Sequence, residues 1–189
     1  MKNMLETLRS YADAGKYKRV PVSRELYADA FTPVEVMRTL RAASRHCYLL
    51  ESAEDKQRWG RYSFLGYAPT MEIICTDGHV IITEGGEEEE KSRREFDTDH
   101  PGEVLRKILE DYRSPVMDGM PPFTGGLVGY FSYDYMKYAE PSLKSVLNRK
   151  QDGENGQELR DMDLMLFDKV IVFDNYRQKL ILITGVSLT

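Results

Sequence analysis

An apolar segment of this sequence ends in an acid and a hydroxyl. Leu49 and Leu50 are followed directly by Glu51 and Ser52. A carboxylate beside buried side chains requires a cation, several hydrogen-bond donors, or a ligand that carries an ammonium group. Strand alternation places Glu51 with Leu49 and Ser52 with Leu50, although alternation often breaks at a strand end. The acid and the hydroxyl therefore need not share a face.

A second group of polar and aromatic side chains returns to the same place. After a polar loop, Arg61 and Tyr62 begin another strand-like run, which predicts a hairpin that brings them beside Glu51. One interpretation is an ion pair between Glu51 and Arg61 that closes the hairpin. The alternative is a pocket for a zwitterionic small molecule. From these residues alone, the ion pair is the favoured interpretation.

The glycines of the segment FTGGLVGYFSYD do not form a phosphate-binding loop. Gly125, Gly126 and Gly129 are not followed by Gly-Lys-Ser/Thr, and the segment lacks the strand-to-helix context of a dinucleotide site. Their spacing instead predicts a buried strand that another part of the backbone approaches closely.

No assembled catalytic or metal site is evident from the motifs. The three histidines do not have a second histidine at ligand spacing, and neither cysteine has a neighbour that would activate it. No serine has the setting of a nucleophile elbow. We therefore predict no catalytic residue and no metal ligand, and an autonomous enzyme is the least favoured function.

The composition is typical of a soluble globular chain. The chain has 189 residues, 41% hydrophobic and 30% charged, which predicts a single domain over residues 1–189. Its net charge of −5 disfavours binding to nucleic acid or to an anionic membrane. Two cysteines without paired spacing favour a reducing compartment, and the first residues lack the apolar core of a secretory signal. We expect a cytoplasmic protein.

Three segments have the apolar period of amphipathic helices. The first covers residues 2–14, and the third begins at Pro101. The second has the strongest signal, because Thr32 suits the N-cap, Pro33 suits the first helical position, and Glu35 completes a capping box. Three to four flanking helices are expected.

Most of the remaining chain has the period of strands. An extended run over residues 17–26 contains Pro21, which favours an edge or a bent strand. The hairpins are predicted from residues 46–52 with 61–67, from 71–75 with 80–83 around Asp77-Gly78, and from 163–173 with 179–184. The charged residues at 87–94 favour a solvated loop, and residues 148–156 favour a linker. Hairpins predict an α+β fold with a mainly antiparallel sheet or sandwich.

Five blocks together resemble the N-terminal domain of anthranilate synthase component I. They occur in the order of that family and cover residues 19–175. The blocks are RVPVSRELYADAFTPVEVM, YLLES, RWGRYSFLGYAP, PFTGGLVGYFSYD and DMDLMLFDKVIVFDN. Aminodeoxychorismate synthase component I is a close relative, but the LLES and Thr-Pro-Val blocks are more similar to the anthranilate branch.

The resemblance implies a role in tryptophan biosynthesis. The family converts chorismate and ammonia to anthranilate and pyruvate with Mg²⁺, and a glutamine amidotransferase subunit, component II, supplies the ammonia. The catalytic and metal-binding residues lie in a C-terminal chorismate-binding domain. We expect that domain to be absent from this chain, and the chain alone to be inactive and without a cofactor.

The resemblance also implies feedback control at the end of the first hairpin. In the family, the LLES block lines the pocket that binds tryptophan as an allosteric inhibitor. The corresponding effector-binding residues in this sequence are Leu49, Leu50, Glu51 and Ser52, with Arg61 and Tyr62 from the following block. The alternative is a structural and partner-docking domain of an aminodeoxychorismate synthase-like component I without tryptophan regulation.

Overall fold

The computed structural model describes residues 2–51, 60–86, 91–143 and 159–188. These residues form ten strands in two five-stranded sheets, three α-helices and two short 3₁₀ helices, which confirms the α+β prediction. The helices are α1 (Lys2–Ala14), α2 (Pro33–Ala43) and α3 (Pro101–Asp111), with 3₁₀ helices at Tyr133–Tyr138 and Pro141–Leu143. The strands are β1 (Arg19–Tyr27), β2 (Cys47–Leu50), β3 (Tyr62–Tyr67), β4 (Met71–Thr76), β5 (His79–Glu84), β6 (Ser92–Asp97), β7 (Gly126–Phe131), β8 (Met162–Phe167), β9 (Lys169–Asp174) and β10 (Lys179–Ser187).

The chain divides into two compact units. The first consists of Met1–Pro69, Leu109–Gly126 and Phe167–Thr189, and the second of Thr70–Ile108 and Leu127–Leu166. The prediction of a single domain stays a prediction. No helix in the described ranges combines the length and the apolar content needed to cross a bilayer.

The first unit contains an antiparallel sheet in the order β1-β10-β9-β3-β2. Helix α2 begins as predicted, since Glu35 N donates to Thr32 Oγ1 at 3.3 Å and Thr32 N donates to the Glu35 carboxylate at 3.0 Å. On one face of the sheet, Leu40 of α2 joins a buried cluster with Leu65, Phe173 and Leu180. The cap begins α2 at Pro33, and the packing of Leu40 holds the helix over this face of the sheet.

The second unit contains a sheet in the order β6-β5-β4-β8-β7. Its core includes Ile73 and Val80, which are fully buried. The predicted turn between β4 and β5 is confirmed, because Asp77 and Gly78 both have positive φ, 49° and 83°.

An ion network around the buried Lys137 connects that turn to the 3₁₀ helix Tyr133–Tyr138. Lys137 Nζ lies 2.6 Å from Asp77 Oδ1 and 2.9 Å from Asp161 Oδ1, while the Tyr138 hydroxyl donates to Asp161 Oδ2 at 2.7 Å. Burial lowers the pKa of Lys137, but the hydrogen bonds to the two carboxylates outweigh it and raise that pKa. The network therefore keeps a buried lysine charged.

Two predictions about strand boundaries are wrong. The run predicted as one strand over residues 163–173 is two strands, β8 and β9, which belong to different sheets. They separate at Asp168, whose carboxylate lies 3.5 Å from Arg19 Nη1 and whose carbonyl accepts from Gly185 N. Part of the predicted charged loop is strand β6, because an edge strand can pair through its backbone while its side chains stay exposed. The predictions at residues 87–90 and 148–156 fall outside the described residues.

The glycine-rich segment forms the edge strand β7 rather than a buried strand, since its last three residues are exposed. The predicted close approach of backbone is confirmed. A Cβ atom on Gly129 would lie 2.0 Å from Asp163 O, and one on Gly125 would lie 2.9 Å from Phe167 O. Glycine is required at Gly129 because no side chain fits at that distance.

Candidate functional site

The ends of three strands meet where the sequence predicts the site. Strand β2 pairs with β3, so that Leu50 lies opposite Phe64, and β3 pairs with β9, so that Tyr62 lies opposite Asp174. The end of β2, the beginning of β3 and the end of β9 therefore share one end of the first unit's sheet. We call the polar and aromatic residues at this place the β2–β3 end: Leu50, Glu51, Arg61, Tyr62, Ser63, Asp174 and Asn175.

Glu51 is exposed at this end and makes no ion pair with any residue that the structure describes. Its one hydrogen bond given by the structure comes from the Ser63 hydroxyl, at 3.4 Å from Oε1. Ser63 Oγ in turn accepts from Asn175 Nδ2 at 3.2 Å. The carboxylate therefore faces solvent with one neutral donor, and its negative charge is not compensated by a described cation.

The predicted ion pair between Glu51 and Arg61 is wrong, because Arg61 binds Asp174 instead. Arg61 Nε donates to Asp174 Oδ1 at 3.1 Å, and Nη2 donates to Oδ2 at 2.6 Å. This two-point geometry holds the planar guanidinium in one orientation. The reason lies in the strand register, which places Asp174 opposite Tyr62 and beside Arg61.

The environment of Asp174 explains why it captures Arg61. The side chain is 2% exposed, and burial raises the pKa of a carboxyl group. The hydrogen bonds from Arg61 and from the backbone N–H groups of Arg177 and Tyr176 outweigh burial, and the pKa of Asp174 is lowered overall. A buried carboxylate with four donors is thus a stronger partner for Arg61 than the exposed Glu51.

The aromatic and apolar residues of the predicted site occupy different surroundings. Leu49 is partly buried against the cluster under α2 and supports the strand, while Leu50 is 50% exposed. The Arg61 guanidinium carbon lies 4.7 Å from the centroid of the Tyr62 ring, and burial raises the pKa of Tyr62. Ser52 lies outside the described residues. The register sets Leu50 opposite Phe64, on the sheet face of Tyr62, whereas Glu51 hydrogen-bonds to Ser63, whose side chain lies on the other face.

Three residues of this end were not predicted from the sequence. Ser63 lies inside β3, Asp174 is the last residue of β9, and Asn175 follows it in the turn to β10. The available signal was the acid and amide that directly follow the apolar run ending at Phe173. The same pattern occurs after Leu50, where an apolar run is followed by Glu51 and Ser52.

The polar groups around Glu51 can bind a hydrogen-bond donor of a ligand. This end of the sheet offers a carboxylate that no described cation neutralises, with hydroxyl and amide groups beside it, and separately an exposed leucine and a guanidinium held over an aromatic ring. The carboxylate with its neighbouring hydroxyl and amide suits the ammonium group of a ligand. Within the described ranges no three His, Cys, Asp or Glu side chains converge.

Comparison with known proteins identifies relatives along nearly the whole chain. Anthranilate synthase component 1 of Pseudomonas aeruginosa is 37% identical over 178 residues, covering 94% of this chain and 34% of that protein. Component 1 of Acetivibrio thermocellus is 31% identical and covers 93% of the chain. The chloroplastic anthranilate synthase alpha subunit 1 of Arabidopsis thaliana is 34% identical and covers 98% of it. No protein-family model matches the chain.

Among solved structures, anthranilate synthase component I from Streptococcus pneumoniae TIGR4 matches with a TM-score of 0.45 and 22% identity, over 83% of this chain and 30% of that one. The sequence relatives confirm the resemblance predicted from the five blocks. This chain spans about a third of the length of the curated relatives it matches.

Proposed function

We propose that this chain is the effector-binding part of an anthranilate synthase component I and that L-tryptophan binds at the β2–β3 end. The observation that carries the proposal is the state of Glu51. Its carboxylate is exposed and has no cation among the described residues, and Arg61, the partner that the hairpin suggests, binds Asp174 instead. A carboxylate without a cation among the described residues suits the ammonium group of an amino acid.

The neighbouring groups supply the rest of the recognition. Ser63 and Asn175 form a hydrogen-bonded pair that reaches Glu51 and can orient its carboxylate. Leu49 lies on the same strand face as Glu51 and supplies apolar surface there, and Leu50 and Ser52 belong to the site through the resemblance. Arg61 is already bound by Asp174, so we assign it a positioning role at Tyr62 rather than the main contact with the ligand.

The activity of the whole protein belongs to the same proposal. The reaction is the conversion of chorismate and ammonia to anthranilate and pyruvate in the cytoplasm, with component II as the partner. This chain supplies no catalytic residue in the proposal. Inhibition from a distance requires that tryptophan bind one conformation of the complete protein more tightly than another, since equal affinity shifts nothing.

The proposal is tested by calorimetric titration of L-tryptophan into the protein expressed from its complete reading frame. Glu51→Gln removes the charge but keeps the size, and we expect tryptophan affinity to fall about tenfold because a charge-assisted hydrogen bond is lost. Glu25→Gln is the matched control, since Glu25 is an exposed acid on β1 of the same sheet.

A second ligand distinguishes loss of the contact between Glu51 and the ammonium group from a general loss of binding in the variant. Indole-3-propionate lacks the ammonium group, so its affinity should be the same in the parent protein and in Glu51→Gln. Unchanged tryptophan affinity in Glu51→Gln would remove this residue from the site. Absence of tryptophan binding to the parent protein would favour the structural and partner-docking alternative.

A further inference from the structure

The sheet of the first unit has a partly uncovered face. Helix α2 covers one part of this face through Leu40, which packs against Phe173 and Leu180. Beyond that contact, two neighbouring rows of side chains run across β1, β10 and β9. The first row is Val22, Thr184 and Lys169, and the second is Arg24, Leu182 and Ile171. Together with Tyr67 these rows line an open groove of about 420 Å³.

The groove is positively charged in an acidic protein. Its lining includes Arg24 and Lys169 and no carboxylate, whereas the chain as a whole has a net charge of −5. Both side chains are exposed, and neither forms an ion pair within the part of the chain that the structure describes. Two cations are therefore left without a described partner beside apolar side chains.

The strand register places the two cations on either side of the groove floor. Arg24 and Lys169 are two strands and one row apart, which corresponds to roughly 12 Å between Cα atoms at ordinary sheet spacings. Between them lie the Thr184 hydroxyl and the Leu182 side chain, which is 37% exposed. Long cationic side chains at this separation can both reach one anionic group above Thr184.

We propose that this groove binds an organic anion with an apolar body, the chemistry of an aromatic carboxylate. Arg24 and Lys169 bind the carboxylate, Thr184 donates a hydrogen bond to it, and Leu182 and Ile171 contact the ring. A second copy of the chain is a poor occupant, because it would bring the same two cations against each other. The groove is distinct from the β2–β3 end, and Glu51 takes no part in it.

The proposal is tested by titrating 2-naphthoate into the protein and recording the NMR signals of its ¹³C-labelled Val, Leu and Ile methyl groups. We expect saturable chemical-shift changes confined to Val22, Ile171 and Leu182. Arg24→Gln and Lys169→Gln should each weaken 2-naphthoate binding about fivefold, the range of an exposed ion pair. Arg38→Gln is the matched control, because Arg38 is an exposed cation on α2.

A neutral ligand of the same shape separates the contribution of charge to binding from the contribution of apolar contact. The affinity of 2-naphthalenemethanol should be lower than that of 2-naphthoate and should not change in Arg24→Gln or Lys169→Gln. Equal affinity for the acid and the alcohol would overturn the proposal. So would shifts centred on Leu49 and Leu50, or naphthoate affinity that is unchanged in both cation variants.

Discussion

Removing the Asp174 carboxylate is expected to destabilise the first unit substantially. The side chain is 2% exposed and accepts two hydrogen bonds from Arg61, at 3.1 and 2.6 Å, and two from the backbone N–H groups of Tyr176 and Arg177, at 3.2 and 3.0 Å. Arg61 is 29% exposed, so water replaces part of what it loses. We therefore expect Asp174→Ala to lower the free energy of unfolding by about 3 kcal/mol, at the lower end for a broken buried pair.

The contribution of the ion pair can be separated from that of the turn. Asp174→Asn keeps an oxygen for the N–H groups of Tyr176 and Arg177 but loses the charge, so it should cost less than Asp174→Ala. A double-mutant cycle with Arg61→Met isolates the pair, and we expect a coupling energy of about 2 kcal/mol. A coupling energy below about 0.5 kcal/mol would refute the assignment of Asp174 as the main partner of Arg61.

Urea unfolding followed by circular dichroism measures these free energies. Amide exchange of Asn175 gives a local readout, because its N–H donates to Arg61 O at 2.8 Å across the strand ends. Protection at this amide should fall in Asp174→Ala along with global stability. Unchanged protection would mean that the β9–β10 turn does not depend on the carboxylate.

The same pair predicts a pH dependence with a definite sign. The pKa of Asp174 is lowered in the folded protein from its ordinary value of 3.8. Its contribution to stability is therefore fully present above that value and is lost as the pH falls through the lower, folded-state pKa. Stability measured from pH 6 downward should decline less steeply below about pH 4 in Asp174→Asn than in the parent protein. Equal slopes would contradict the lowered pKa.

Two further substitutions test the second unit. Lys137→Met should lower the free energy of unfolding by about 3 kcal/mol, because it leaves the buried Asp161 carboxylate without its cation. A loss below about 1 kcal/mol, measured by urea unfolding, would argue against the network. Gly129→Ala should lower the free energy of unfolding by about 2 kcal/mol, because the added Cβ would lie 2.0 Å from Asp163 O. Gly102→Ala is the control: its added Cβ would lie 3.4 Å from the nearest atom, so thermal unfolding should show a neutral or stabilising effect.

Several elements could be predicted from the sequence because their signals are local. Thr32 and Glu35 cap a helix within four residues, and Asp77-Gly78 adopts the positive φ values that a tight hairpin requires. The hairpin of β2 and β3 followed from the apolar runs on either side of one loop. Each of these signals depends on neighbours in the chain, so no knowledge of the tertiary fold was needed.

The sequence by itself also determined that Glu51 and Arg61 would lie at the same end of one hairpin, since they flank its loop. Only the tertiary structure decided how their charges are paired. Asp174 lies 113 residues from Arg61, and it reaches Arg61 because β9 pairs with β3. The separation of β8 from β9 at Asp168 had the same origin. Both outcomes depend on which strands become neighbours, and a pairing between distant segments is set by the packing of the whole sheet.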